Sequence, residues 1–327
     1  MRRLLLLLFA ITATAAIEEH TPRDVANHIA HDGIIAAISD SVAPLPRPLP
    51  FFYDLYSFRG DEGNTTVVAA FAVPVRRLGR EWHERQARYR FDVALVLADT
   101  ARHTVTRTDD SVYVSVPQQL SGDHLLYTHV EVQTLPSNGT VQRVTMSDAA
   151  RPGTGQLYST EYVIPDYSGT HLMISDVAMG QPNPRAGWTR DDVTLALLPT
   201  SQFPGSSFEL FYEIYNLPAG SIYTTRVAIA PADEGGSLVV GADGVVDASF
   251  SATSEAEDGA AQAEFRTVDA RIQKGTYRIT IEITDEGSGE SATQFKNFEV
   301  RGPGRGATMV PALPSERSRG NGRPTPN

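Results

Sequence analysis

The chain contains no cysteine, only two lysines (Lys274 and Lys296), and no G-x-S-x-G string. Without thiols there is no disulfide framework, no thiolate zinc site and no cysteine for lipid attachment. Packed cores alone must therefore hold the fold together. The missing string removes the nucleophile-elbow hydrolases from consideration. Long apolar runs are absent too. The longest, residues 4–17, covers 14 positions, short of the roughly 20 a membrane-spanning helix needs. Positive charge is scarce: 28 Lys and Arg stand against 39 Asp and Glu, a formal net charge of −11. That balance argues against nucleic acid or an anionic lipid surface as main partner.

What is present begins with an export signal. Met1-Arg2-Arg3 precedes the apolar run, Ala13 and Ala15 are small, and Glu18-Glu19 follow. This order is that of a secretory signal peptide over residues 1–16, with cleavage expected after Ala15 or Ala16. Loss of Arg2 and Arg3 leaves 26 basic residues against 39 acidic ones, a net charge of −13. The mature chain is expected to be secreted or periplasmic, with no transmembrane segment.

Thr21-Pro22-Arg23-Asp24 reads as a helix start, with Thr as N-cap and Pro at the first helical position. A short helix and a Pro-rich linker are therefore expected over 17–49. Beyond it the pattern is alternation. Phe51, Tyr53 and Leu55 share one face, and Phe91, Val93, Leu95 and Leu97 another. Leu126, Thr128, Val130 and Val132 are expected to pair with Val141, Arg143 and Thr145 across a Pro136-Ser137-Asn138-Gly139 turn. No long amphipathic helices separate the strands, which argues against βαβ units.

A repeat organises these strands. FYDLYSF at 52–58 returns as FYEIYNL at 211–217, each followed by an alternating strand that ends on Pro74 or Pro231. HLLYTHVEV at 124–132 matches TYRITIEIT at 276–284 in the same way. The reading is all-β: two tandem antiparallel, immunoglobulin-like β-sandwiches, a first over 50–165 and a second over 190–301. A bridging strand and linker fill 166–189. The tail, 302–327, is rich in Gly, Pro, Arg and Ser and reads as disordered.

The last hairpin carries a resemblance. A Gly-Thr-Tyr start at 275–277, alternating Ile279, Ile281 and Ile283, a turn at 285–289 and a closing Phe295-x-x-Phe298-x-Val300 strand resemble bacterial immunoglobulin-like and fibronectin-like surface modules. Together with LMISDVAM at 172–179, the hairpin is also similar to the C-terminal region of GWxTD-domain proteins. GWTRD at 187–191 departs from that signature, with Arg190 where Thr should stand. The resemblance implies a surface β-module and brings no assigned activity.

Chemistry-bearing motifs are sparse. His28 and His31, near Asp24 and Asp32, share a helical face without a placed third ligand. His124 and His129 differ by an odd number along one strand and face opposite ways. Acidic turns at 61–64, 233–236, 243–247 and 285–287 hold enough carboxylates for Ca²⁺ but lack the spacing of a calcium loop. Six arginines between Arg76 and Arg90, with Glu81, Trp82, Glu84 and Tyr89 interleaved, read as a solvated connecting helix. Asn64-Thr65-Thr66 and Asn138-Gly139-Thr140 are glycosylation acceptors by rule. Trp188 is expected at the interdomain seam. No catalytic, cofactor-binding or metal residues are assigned. The expectation is a secreted, non-enzymatic binding or structural module with a protein or glycan partner outside the cytoplasm. The alternative is an exported carbohydrate-active hydrolase with a site between the sandwiches.

Overall fold

The computed structural model describes residues 47–300, except 100, 121, 123, 183–186, 201–206, 234–236, 238–249, 258–260 and 269–271, together with 310, 311, 313 and 314. The signal peptide, the helix start at Thr21, the His28/His31 pair and the 243–247 turn lie outside these residues.

Nearly everything described is strand, arranged in four sheets. The first outer sheet runs Thr154–Ile164, Ser137–Asp148, Gln86–Asp99, Thr104–Val116. The first inner sheet runs Phe52–Arg59, Thr65–Pro74, Leu125–Thr134. The second inner sheet is built on Phe208–Tyr215. Ala261–Val268 flanks that strand on one side, and Met173–Ile174 with Ala178–Pro182 on the other. Val193–Leu197 and Trp188–Arg190 extend this sheet outward. The second outer sheet runs Phe250–Glu255, Ile222–Pro231, Gly275–Asp285, Ser291–Val300.

Burial explains why these strands form where they do. Along Gln86–Asp99 burial alternates strictly, placing Phe91, Val93, Leu95 and Leu97 in the first core and the intervening side chains toward solvent. Thr65–Pro74 is buried at every one of its 10 positions, and Phe208–Tyr215 at all 8. These two strands have no wet face. Val67, Ala69, Phe71 and Val73 enter the first core, whereas Val68 and Ala70 enter a separate cluster. Likewise Leu210, Tyr212 and Ile214 enter the second core, and Phe211 enters that same cluster. The two sandwiches thus stack inner sheet on inner sheet, giving four layers with three apolar seams.

The hairpin predicted at the end of the second sandwich forms as read, with Gly275–Asp285 paired to Ser291–Val300 along its length. Four other expectations are corrected. First, residues 166–189 are no mere bridge: three strands from 173 to 190 belong to the second inner sheet. Second, Leu125–Thr134 does not pair with Ser137–Asp148. The first pairs with Thr65–Pro74 and the second with Gln86–Asp99, so the chain crosses between sheets at residues 135–136. Asn138 and Gly139 sit at a register shift inside the second strand, not in a hairpin turn.

Third, the Arg-rich stretch is a single 3-10 turn at Val75–Arg77 followed by a hairpin, and no connecting helix. Glu81–His83 pairs with Gln86–Arg88, and Glu84 and Arg85 adopt φ of 48° and 67° in a two-residue turn. Glu81 pairs with Arg90 between the two strands, at 2.7 Å. Fourth, within the tail read as disordered, Val310–Pro311 pairs with Leu126–Tyr127 and Leu313–Pro314 with Val112–Tyr113.

The repeat is also reassigned. Apart from the short Glu81–His83 strand, in both units the chain runs inner, outer, outer, inner, outer, outer, starting from Thr65–Pro74 in one and Phe208–Tyr215 in the other. By wiring, the counterpart of Phe208–Tyr215 is Thr65–Pro74, while FYDLYSF forms the edge strand before it. The two aromatic copies resemble each other because both lie in inner sheets and are squeezed from both sides.

Trp188 is the wedge of the middle seam, 1% exposed, with its ring stacked on Phe58 at 5.0 Å and edge-on to Phe211 at 5.4 Å. Trp188→Ala is expected to cost about 3–5 kcal/mol, since the vacated volume lies between two rigid sheets. Calorimetry should give one cooperative transition for the parent chain and two separated transitions for the variant.

Candidate functional site

The middle seam also gathers buried and half-buried charge. Strand parity puts Asp54, Tyr56 and Phe58 on the seam face of the first inner sheet, and Phe211, Glu213 and Tyr215 on that of the second. An acid on a face covered by another sheet must find a cation. Asp54 and Glu213 each find one from another strand.

At one end, Lys296 of the last outer strand reaches in, its Nζ 3.0 Å from Asp54 Oδ1 and 3.1 Å from the Leu55 carbonyl. The same ammonium lies 4.4 Å from the Tyr56 ring centre, and Thr200 donates its hydroxyl to Asp54 Oδ2 at 2.6 Å. Tyr56 in turn donates to the Leu198 carbonyl at 2.6 Å, and burial pushes its hydroxyl well above the usual tyrosine range. At the other end Arg190 grips Glu213 with two N–H groups, Nε to Oε1 at 2.5 Å and Nη2 to Oε2 at 2.9 Å. Its Nη2 also donates to the Arg59 carbonyl at 2.7 Å. The Tyr215 hydroxyl donates to Glu213 and accepts from the Arg59 amide at 2.8 Å. Arg59 stacks over Tyr215 at 4.2 Å, and Arg190 over Phe58 at 5.0 Å.

Between the ends, Asp176 accepts from the Ser57 amide at 2.9 Å and the Ser57 hydroxyl at 2.8 Å, with Gln294 donating to its other oxygen at 3.2 Å. Burial raises the Asp176 carboxyl, opposed by the Lys296 charge and the Ser57 hydrogen bond. Ser57 is itself fully buried and its hydroxyl also meets Tyr167 at 3.0 Å. This serine–aspartate contact resembles catalytic furniture, yet a substrate has no path to an oxygen sealed between sheets. Its chemistry is cross-linking: it ties the first inner sheet to the segment leading into the second.

The sequence-level candidates scatter. His129, on the seam side of its strand, has its imidazole pKa pushed down to about 4 by burial. Asp61 and Asp285 work as turn residues. Asp61 accepts from Gln133 at 3.1 Å, and Asp285 accepts from the Gly287 amide and the Ser288 hydroxyl at 3.1 and 2.6 Å. The Ser288 bond holds the Asp285 carboxyl below its ordinary range. No group of three or more His, Asp or Glu side chains is placed to hold a metal among the described residues. Trp82 is 59% exposed, with the Arg80 guanidinium 5.2 Å from its ring centre.

One concavity stands apart from the seam. At the open end of the first sandwich a cavity of about 240 Å³ lies between the sheets, with Leu97 and Ile164 below and Asn64, Arg102 and Leu135 around it. Asp99, Thr104 and Thr140 also line it and are cross-strand neighbours. Nothing in the motif search pointed here, because its residues come from five strand ends and loops and form no local string.

The sequence matches no protein-family model and no curated protein. Similar solved structures include a calcium-binding mutant of Bacteroides uniformis β-glucuronidase 2, at 9% identity and TM-score 0.26, covering 77% of this chain and 28% of that one. Red sea bream transglutaminase has 9% identity and TM-score 0.21, covering 83% and 33%. Escherichia coli α-2-macroglobulin activated by porcine elastase has 12% identity and TM-score 0.22, covering 82% and 22%. This chain spans a third or less of each, and likeness at this level says nothing of activity.

Two outcomes are expected from the seam. Glu213→Ala strands Arg190 and should cost about 3–5 kcal/mol in denaturant unfolding, whereas a paired Arg190→Met, Glu213→Leu exchange should recover most of the loss. Because the unfolded chain protonates His129 before the native one does, stability is full above about pH 6.5 and falls toward pH 4. That loss is up to about 3 kcal/mol, less where solvent reaches the ring, and His129→Gln should flatten the slope.

Proposed function

We propose that this chain is a secreted or periplasmic, non-enzymatic binding module, built as one stiff double sandwich that presents its ends and outer faces to a protein or glycan partner. The observation that supports this reading most is the use made of the seam carboxylates. Asp54 and Asp176 bond directly across the seam, and Glu213 holds the Arg190 and Tyr215 side chains that reach across it to the Arg59 backbone. Carboxylates spent on docking are poor acids and bases, since their protons and lone pairs are already engaged. The start of the chain, with its basic residues, apolar run and small residues, supports export. An acidic, lysine-poor surface favours solubility and disfavours polyanions.

The test uses the exported full-length chain on envelope extracts, a glycan panel and a set of glycoside and ester substrates. Saturable binding without turnover is the expected result. Turnover that survives purification and disappears with a seam carboxylate substitution that leaves the fold intact would replace the binding reading with a hydrolase.

A further inference from the structure

We infer that Ala261–Val268, the outer strand of the second inner sheet, is a docking edge for a second copy of this chain. The strand pairs with Phe208–Tyr215 along all 8 of its residues, and among the described residues no strand pairs with its other edge. Its outward N–H and C=O groups recur at every second residue and can extend the sheet by one more strand. Other long edges are guarded. Ser57, on the edge strand Phe52–Arg59, bonds Asp176 through both its amide and its carbonyl. Thr104–Val116 carries Arg107, Asp109 and Asp110, and its edge meets Leu313–Pro314. Ala261–Val268 holds no proline, and its exposed face, formed by Ala261, Ala263, Phe265 and Thr267, holds no charge. Phe265 is 41% exposed although its direct cross-strand neighbour, Phe211, is buried in the seam. The first sandwich therefore stops short of this strand and leaves room for a partner beside it.

The side chains select a second copy and set its register. Glu264 and Arg266 lie on the covered face, paired across the strands with Tyr212 and Leu210. There Glu264 accepts the Tyr223 hydroxyl at 2.6 Å, and the Arg266 guanidinium lies 2.6 Å from its other oxygen. Arg266 keeps 30% of its side chain exposed, so its charge reaches the strand's outer edge. When two such strands run antiparallel about a two-fold axis at Phe265, Glu264 of each copy stands opposite Arg266 of the other. Phe265 then faces Phe265, and Ala263 faces Thr267. Both charge contacts are attractive, and the two exposed rings cover each other. An axis at Glu264 or Arg266 would instead set like charges opposite, and an axis between residues would set Phe265 beside a charge. Inward charges normally block an edge; here they are complementary to the strand's own sequence run backwards. The pairing is isologous and closes after two copies.

The test is light scattering of the full chain over a concentration series, with variants at the exposed position 265. One strand edge is a small interface, so the mass is expected to pass from monomer to dimer between roughly 1 and 500 μM. Phe265→Lys and Phe265→Glu each set like charges across the axis and should stay monomeric, with unfolding midpoints close to the parent's. An equimolar mixture of the two should dimerise again, because Lys then faces Glu. The register is read by cross-linking, for which the absence of cysteine leaves a clean background. Opposed Cα atoms lie about 4.5–5.5 Å apart, within disulfide reach, so Phe265→Cys should oxidise to a covalent dimer. Thr267→Cys alone should not, but should link when mixed with Ala263→Cys. A parent chain that remains monomeric throughout would overturn the proposal, as would a dimer that Phe265→Lys leaves intact. Self-linking of Thr267→Cys as fast as that of Phe265→Cys would overturn it too, since it denotes another register or random collision. The binding-module reading depends on none of these outcomes.

Discussion

The inner sheets have no wet face, and most of the architecture follows from that constraint. A sheet covered on one side tolerates polar residues at every second position; a sheet covered on both sides tolerates them nowhere without partners. The near-continuous apolar stretch of Thr65–Pro74 and the aromatic density of Phe208–Tyr215 are the response. Trp188 fills the remaining gap between the sheets, and its indole N–H finds Glu131 at 3.3 Å.

The same constraint dictates where the few cations go. Lys296 is one of two lysines in the chain, and it is spent on Asp54 at the seam. Arg190 lies on a three-residue strand whose main effect is to carry Trp188 and Arg190 into position beside Glu213. Because Lys296 comes from the second outer sheet and Asp54 from the first inner one, separation of the sandwiches would leave buried charge uncompensated. Apolar contact supplies the affinity between the halves, and the Lys296–Asp54 pair, with the Arg190 and Tyr215 bonds to the Arg59 backbone, fixes their register.

The legible parts of the sequence were those where one period ruled. Gln86–Asp99 and Gly275–Val300 alternate cleanly because each has one core face and one solvent face, and the turn at 285–289 has Gly and Ser where it needs them. Reading failed where two causes gave one pattern. The interleaved Glu and Arg residues of 76–90 suggested a charged helix, but Glu81 meets Arg90 across a hairpin, since a two-residue turn also brings such charges together. Asn138-Gly139 signalled a turn and instead marks a register shift inside a strand. The aromatic repeat was real as chemistry and misleading as alignment. Similar burial on two faces produced similar strings in strands of different wiring.

The sequence by itself determined the class of fold: all-β, disulfide-free, two sandwiches, with strands where alternation is clean. It also carried the aromatic and acidic residues that mark the inner strands. Only the tertiary structure decided which sheets face each other, because a residue's parity says which side it is on and not what covers that side. It likewise decided which cation serves which acid, with Asp54 and Lys296 lying 242 positions apart. The cavity belongs to the same category, since its walls meet only when two sheets close at one end.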